Sequence, residues 1–286
     1  MNKNTTFLDT PSISLRGSLF NFQQPRIMSI FNLSPDSFYD GGRLNSVEIT
    51  LLKAEKDVEQ GADIIDLGAY STRPGASFVS ISEEWSRLKP HLVSIRQKFP
   101  EIPISIDTFR SEIVRLALEE GADLVNDISG GNLDHKMFET IAEKKVPYIL
   151  MHSKGNPATM KNLANYKSLM VDILDDLQNK LFQLRELNVR DILIDPGFGF
   201  AKTISQNFTL LKNLEDFKIF NLPILVGLSN KSMIYRSLKI EVKDALNGTS
   251  VAHTLALLGG ANILRVHDVK AASEVREIWK LYEKAD

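Results

Sequence analysis

Eight short apolar runs, most of them rich in β-branched residues, alternate along the chain with longer amphipathic stretches, and this alternation restricts the fold more than any other feature. The runs fall at 26–32, 64–68, 104–107, 124–126, 148–152, 192–195, 224–227 and 263–265. Between them, segments such as 47–60, 82–98, 111–120 and 168–187 place apolar residues three or four apart, the spacing of one helical face. Strands separated by helices build a parallel sheet, because a parallel return needs a crossover of a dozen or more residues. Eight such units predict a single (β/α)8 TIM barrel with its active site at the C-terminal mouth of the strands, and 286 residues suit that fold, which takes about 250. An open doubly wound sheet is the competing architecture, since alternation does not itself demonstrate closure.

One junction is used three times: Gly61-Ala62-Asp63-Ile64, Gly121-Ala122-Asp123-Leu124 and Gly260-Ala261-Asn262-Ile263 each set a glycine at a helix C-terminus directly before a strand. No linker or shift in composition divides the chain. The expected organisation is an N-terminal extension, 1–25, partly packed on a barrel spanning 26–286. Lys plus Arg number 34 against 36 Asp plus Glu, a net charge of −2, so no general attraction to nucleic acid or anionic membrane is expected and any anion site must be local. Cysteine is absent, which excludes disulfides and thiolate catalysis. Without an apolar leader or an apolar stretch of about 18 residues, the expectation is a soluble, cytoplasmic protein.

Most of the predicted strands end in a residue able to do polar chemistry: Asn32, Asp66, Asp107, Asn126, His152, Asp195, Ser229 with Lys231, and Arg265 with His267. In a parallel barrel these ends converge on one mouth, where residues distant in sequence surround one ligand. Any one of them could instead cap a helix or turn, and Asp66, inside its strand, is the weakest functional candidate. His253 reads as packing, His91 and His135 as surface or helix-cap residues, and Trp85 as packing. The segments 34–43 and 71–76 have the composition of catalytic loops, whereas 195–202 is glycine-rich without the spacing of a nucleotide-binding loop. Arg265 and His267 alternate on an extended chain and so share a face, which with Asn32 suggests a small-anion site able to recruit Mg2+. The plainer alternative is a salt bridge from Arg265 to Asp268.

These segments together resemble the dihydropteroate synthase family of pterin-binding barrels, from about Arg26 to the C-terminus. The resemblance rests on Asn32-Leu33-Ser34-Pro35-Asp36-Ser37-Phe38, Asp66-Leu67-Gly68 with Ser71-Thr72-Arg73-Pro74-Gly75, Ser105-Ile106-Asp107-Thr108, Asn126-Asp127, Met151-His152, Asp195-Pro196-Gly197-Phe198-Gly199-Phe200, Ser229-Asn230-Lys231-Ser232 and Arg265-Val266-His267-Asp268. It implies condensation of 6-hydroxymethyl-7,8-dihydropterin pyrophosphate with p-aminobenzoate, inhibition by sulfonamides, a Mg2+ cofactor and a homodimer. By the same resemblance Asp107, Asn126, Asp195 and Lys231 hold the pterin, while Asn32, Arg265 and His267 hold the pyrophosphate, Asn32 also serving the metal. Thr72, Pro74, Phe200, Lys231 and Ser232 line the p-aminobenzoate pocket, and Asp36, Arg73, Asp107 and Lys231 form the catalytic set, the first two ordering the loops.

One departure stands out. The family's usual Ser-Arg-Lys-Ser reads Ser229-Asn230-Lys231-Ser232, exchanging a long cation for a short amide, from which weaker p-aminobenzoate binding or altered sulfonamide sensitivity is expected. Three rival readings are a corrinoid-directed methyltransferase, which leaves segment 71–75 unexplained, a Schiff-base aldolase using Lys231, and a non-catalytic pterin-binding paralogue.

Overall fold

The computed structural model describes residues 11–33, 46–70, 79–155, 159 and 163–285. The chain begins with an antiparallel hairpin of β1 (Ser12–Leu15) and β2 (Ser18–Asn21). Arg16 and Gly17, at φ 56° and 72°, form its two-residue turn, both in the left-handed region that matches strand twist. Next come β3 (Arg26–Asn32), α1 (Val47–Glu59), β4 (Ile64–Gly68), α2 (Ile81–Lys98), β5 (Ile104–Asp107), α3 (Ser111–Glu119) and β6 (Leu124–Asp127). They are followed by α4 (Met137–Lys144), β7 (Tyr148–Met151), α5 (Leu169–Glu186), β8 (Ile192–Asp195) and α6 (Ile204–Lys212). The last elements are β9 (Leu225–Val226), α7 (Ser232–Leu238), α8 (Leu246–Leu258), β10 (Ile263–Val266) and α9 (Val269–Glu283).

Strands β3 to β10 form one parallel sheet in the order β8-β7-β6-β5-β4-β3-β10-β9. The ends of that sheet meet: Ile194 of β8 bridges Ile224 in parallel, and its N–H donates to the Pro223 carbonyl at 2.9 Å. This is the barrel rather than the open alternative, for the strand order has no reversal at which a doubly wound sheet changes direction. β9 is shorter than expected, two residues instead of four. Pro223 before it can accept but not donate a ladder bond.

The repeated junction has a structural meaning. Gly61, Gly121 and Gly260, at φ 98°, 95° and 96°, terminate their helices in a conformation costly for any side chain. The acid or amide two residues later then reaches across to the preceding strand, where Asp63 accepts from the Ile27 N–H, Asp123 from the Ile104 N–H and Asn262 from the Ile224 N–H, each at 2.9 Å. The backbones return the bond, with the N–H groups of Asp63, Asp123 and Asn262 donating to the same three residues' carbonyls at 2.8 Å. Three strand pairs are thereby stapled in register at the base of the barrel.

The hairpin covers that base. Ile13, Leu15 and Phe22 are buried against Met28, Ile64, Leu124, Ile149, Leu193, Leu225 and Ile263, residues at the N-terminal ends of the strands. Asp191 holds it in place, accepting from the Ser14 N–H at 2.7 Å. Outside the barrel, apolar stripes of the helices pack on the strands, as Leu88, Leu92 and Ile95 of α2 do. His91 belongs to that stripe and is buried, its Nδ1 2.8 Å from Thr50 Oγ1 of α1, which corrects the expectation of a surface residue. His135 is exposed and His253 is packed in the interior of α8.

Candidate active site

The pleat turns alternate residues of each strand inward, so Asp66, two residues before the end of β4, and Arg265, next to last in β10, meet inside the barrel. Arg265 Nε donates to Asp66 Oδ2 at 2.7 Å, and its Nη2 donates to Asp107 Oδ2, at the end of β5, at 2.6 Å. Asn126 of β6 donates its amide to the same Asp66 oxygen at 3.2 Å. The guanidinium thus ties three strands, and Asn126 joins a fourth through Asp66. Asp66 is wholly buried and its Oδ1 has no partner among the described residues, so the residue expected to matter least is the hub of the site. The alternative of an Arg265–Asp268 bridge is not realised, because Asp268 instead caps α9 by accepting from the Ala271 N–H at 2.8 Å. A carboxylate in the middle of an apolar strand was the signal available in the sequence, and its arginine partner was not.

The electrostatics follow from burial. Desolvation lifts the Asp107 carboxyl to about 7, with Arg265 pulling it down and Asp66 pushing it up. Burial also raises Asp195 of β8, partly offset by the Gly197 N–H that donates to its Oδ1 at 2.7 Å. Burial and the charge of Arg265 depress the Lys231 ammonium to about 8, against the pull of Asp195 and Asp107. For Arg265 itself, burial opposes the charge but Asp66 and Asp107 outweigh it, so the guanidinium is held above its usual range.

Lys231 is the N-cap residue of α7, and its ammonium lies 4.6 Å from the centroid of the Phe200 ring. Ser232, beside it, opens the helix and is half-buried. Asn230 has φ 54°, a left-handed conformation that asparagine tolerates better than arginine. Its N–H donates to Thr249 Oγ1 at 3.2 Å, and its Oδ1 accepts from that hydroxyl at 3.3 Å, tying it to α8. Asn32 ends β3, half-buried, and His267 follows β10 with its N–H donating to Ser229 Oγ at 3.2 Å. Asp36, Thr72, Arg73 and Pro74 lie outside the described residues.

Chemically, acceptors on Asp107, Asn126 and Asp195 and donors on Lys231 and Asn126 suit a flat heterocycle carrying both N–H groups and a carbonyl. Asn126 faces this site, whereas the next residue, Asp127, turns outward and accepts from the N–H groups of Ser129 and Gly131 and from the Tyr148 hydroxyl at 2.7, 2.9 and 2.8 Å. Among the described residues no group of three acidic or imidazole side chains could hold a metal. Asn32 offers one hard oxygen, a donor set that fits an ion such as Mg2+ only if a bound phosphate supplies further oxygens.

Comparison with known proteins agrees with this geometry. A family model described as pterin binding enzyme matches residues 28–267. The dihydropteroate synthase of Synechocystis is 42% identical over 272 residues, 94% of each chain. That of Escherichia coli is 38% identical over 265 residues, 92% of this chain and 93% of the other. Among solved structures, the Yersinia pestis dihydropteroate synthase in a sulfonamide drug complex superposes with a TM-score of 0.92 at 35% identity, covering 96% of this chain and all (100%) of that one. The Xanthomonas albilineans enzyme with 4-aminobenzoic acid gives a TM-score of 0.89 at 32% identity, covering 97% and 100% of the two chains.

Proposed function

This chain belongs to the pterin-binding enzyme family, and we propose that it carries out the dihydropteroate synthase reaction, joining 6-hydroxymethyl-7,8-dihydropterin pyrophosphate to p-aminobenzoate. The observation that carries the reading is the guanidinium of Arg265 set between Asp66 and Asp107, in the same cluster as Asn126, Asp195 and Lys231. Asp107 and Asp195 accept from the amino and ring N–H groups of the pterin, Asn126 adds an amide, and Lys231 donates to the ring carbonyl. Arg265 and His267 bind the pyrophosphate. Loss of pyrophosphate takes the electron pair of the C–O bond at the pterin methylene and leaves a cation, which the arylamine nitrogen attacks before shedding its proton. The buried carboxylates of Asp107 and Asp195 oppose that positive charge in a site with little water to screen it. Phe200, with the stem of Lys231 and Ser232, forms the described part of the p-aminobenzoate pocket, to which the family resemblance adds Thr72 and Pro74, with Asp36 and Arg73 ordering the loops.

Asn32 would hold a Mg2+ ion together with pyrophosphate oxygens, and the ion would share the charge of the leaving group. Sulfonamides, bound in the Yersinia pestis structure, are competitors for the p-aminobenzoate pocket. A homodimer is supported by an outward apolar stripe on α8, where Val251, Leu255 and Leu258 are 55%, 49% and 49% exposed, and by the exposed Ile278 and Leu281 of α9, the helix packed beside it. Incubation with the pterin pyrophosphate and Mg2+, with and without p-aminobenzoate, tests the reading. Stoichiometric pyrophosphate and dihydropteroate are expected, and pterin binding without either product would reject it in favour of a non-catalytic pterin binder.

A further inference from the structure

The glycine-rich segment after β8 has one charged side chain, Lys202, that the reaction does not use. Gly197, Gly199 and Ala201 all have positive φ, at 74°, 81° and 47°, so the backbone coils tightly and aims carbonyls inward. Lys202 Nζ collects them, donating to the carbonyl of Gly197 at 2.9 Å and that of Phe200 at 3.2 Å. Its third bond goes to His152 Nδ1 at 3.1 Å. Burial lowers the Lys202 ammonium to about 7, and in its charged form its three protons are placed on these three protein acceptors. None is left for a substrate.

His152, the residue after β7, is buried and fastened to the same segment. Its N–H donates to the Asp195 carbonyl at 2.9 Å, and its own carbonyl lies so close to Gly197 that a Cβ there would approach it to 2.0 Å. The imidazole is neutral, and where Nδ1 accepts from the charged Lys202 its proton sits on Nε2. Burial and the charges of Lys202, Lys180 and Lys154 all favour that neutral form. The opposite side of the segment meets Lys231, whose Cδ would be 3.1 Å from a Cβ on Gly199 and whose ammonium lies over Phe200. Further ties come from Tyr166, whose hydroxyl donates to the Ala201 carbonyl at 3.0 Å, and from Asn207 Oδ1, which accepts from the Gly199 N–H at 2.7 Å.

We propose that Lys202, seated on His152, is a positioning residue that holds Phe200 against Lys231 and so sets the affinity for the arylamine without touching it. The inference rests on the reading of Phe200 and Lys231 as the p-aminobenzoate pocket. Lys202→Met keeps the length and apolar stem but removes all three bonds. Loss of such a network, at about 1–2 kcal/mol, corresponds to roughly a tenfold rise in KM for p-aminobenzoate, with the Kd for the pterin substrate within about twofold. His152→Asn, which keeps an acceptor near Nδ1, is expected to stay near wild type, whereas His152→Leu is expected to reproduce the defect. An unchanged KM for p-aminobenzoate in Lys202→Met, or an equal loss for both substrates, overturns the proposal. Product formation by the wild-type enzyme tests the functional reading separately. Whatever its outcome, a crystal structure of Lys202→Met decides the positioning role: the Phe200 ring is expected to leave Lys231, and a ring that stays in place refutes it.

Discussion

Replacing Arg265 by methionine leaves the Asp66 and Asp107 carboxylates facing one another without a cation. Asp66 is wholly buried and the Arg265 side chain only 19% exposed, so water cannot take over the lost bonds at 2.7 and 2.6 Å. Removing one member of such a buried ionic group costs about 3–5 kcal/mol. The loss should also depend on pH. In the wild type Asp107 titrates near 7 in the folded state, above its ordinary 3.8. A raised carboxyl contributes stability below its unfolded pKa, and that contribution is lost as pH rises to the folded value. Without Arg265 the folded value climbs further, so the variant keeps losing stability above pH 7 where the wild type has stopped, by about 1.4 kcal/mol per pH unit. Urea denaturation at pH 6 and pH 8.5 should therefore differ by up to about 2 kcal/mol in the cost of the substitution. Adding Asp66→Asn should restore part of the loss. A cost that is equal at both pH values, or an Asp66→Asn change that adds to it in full, would refute the account of Arg265 as the neutralising centre.

Pterin affinity, read by calorimetry, should fall about tenfold per pH unit below about 7 as Asp107 takes up a proton, and Asp107→Asn should weaken binding and flatten the profile. Gly197→Ala and Gly17→Ala both place a side chain at positive φ, 74° and 72°. Only the first also meets a backbone oxygen, at 2.0 Å, so thermal denaturation should show about 1 kcal/mol lost at Gly17 and about 2–5 at Gly197. Asn230→Arg should tighten p-aminobenzoate binding while costing about 1 kcal/mol for its left-handed backbone, and unchanged p-aminobenzoate and sulfonamide constants would remove position 230 from the pocket. Light scattering should report a dimer that Leu255→Glu on α8 dissociates, whereas a wild-type monomer would exclude the α8 face as a dimer contact.

All eight barrel strands are readable from the sequence because buried parallel strands are apolar runs and their helices carry a distinct period. Closure is not, since it depends on Pro223, Ile224 and Ile194 meeting across the whole chain. The hairpin at Ser12–Asn21 is not legible in the sequence although Ile13 and Leu15 alternate with serines before an Arg-Gly turn, because such short strands carry little signal until the barrel base offers them a surface. Motif positions located Asp107, Asn126, Asp195, Lys231 and Arg265, but not who pairs with whom: Asp66 becomes the hub only when β4 and β10 set it at the depth of Arg265. Lys202 and His152, 50 residues apart, meet only through the adjacency of β7 and β8.

The staples formed by Asp63, Asp123 and Asn262 lie at the opposite end of the strands from Asn32, Asp107, Asn126, Asp195 and Arg265. Alignment of three strand pairs is therefore secured by side chains remote from the mouth. Residues of the rim, position 230 among them, can change while the strand ends keep their spacing. Adaptation of the pocket and integrity of the scaffold are, in this chain, separate inheritances.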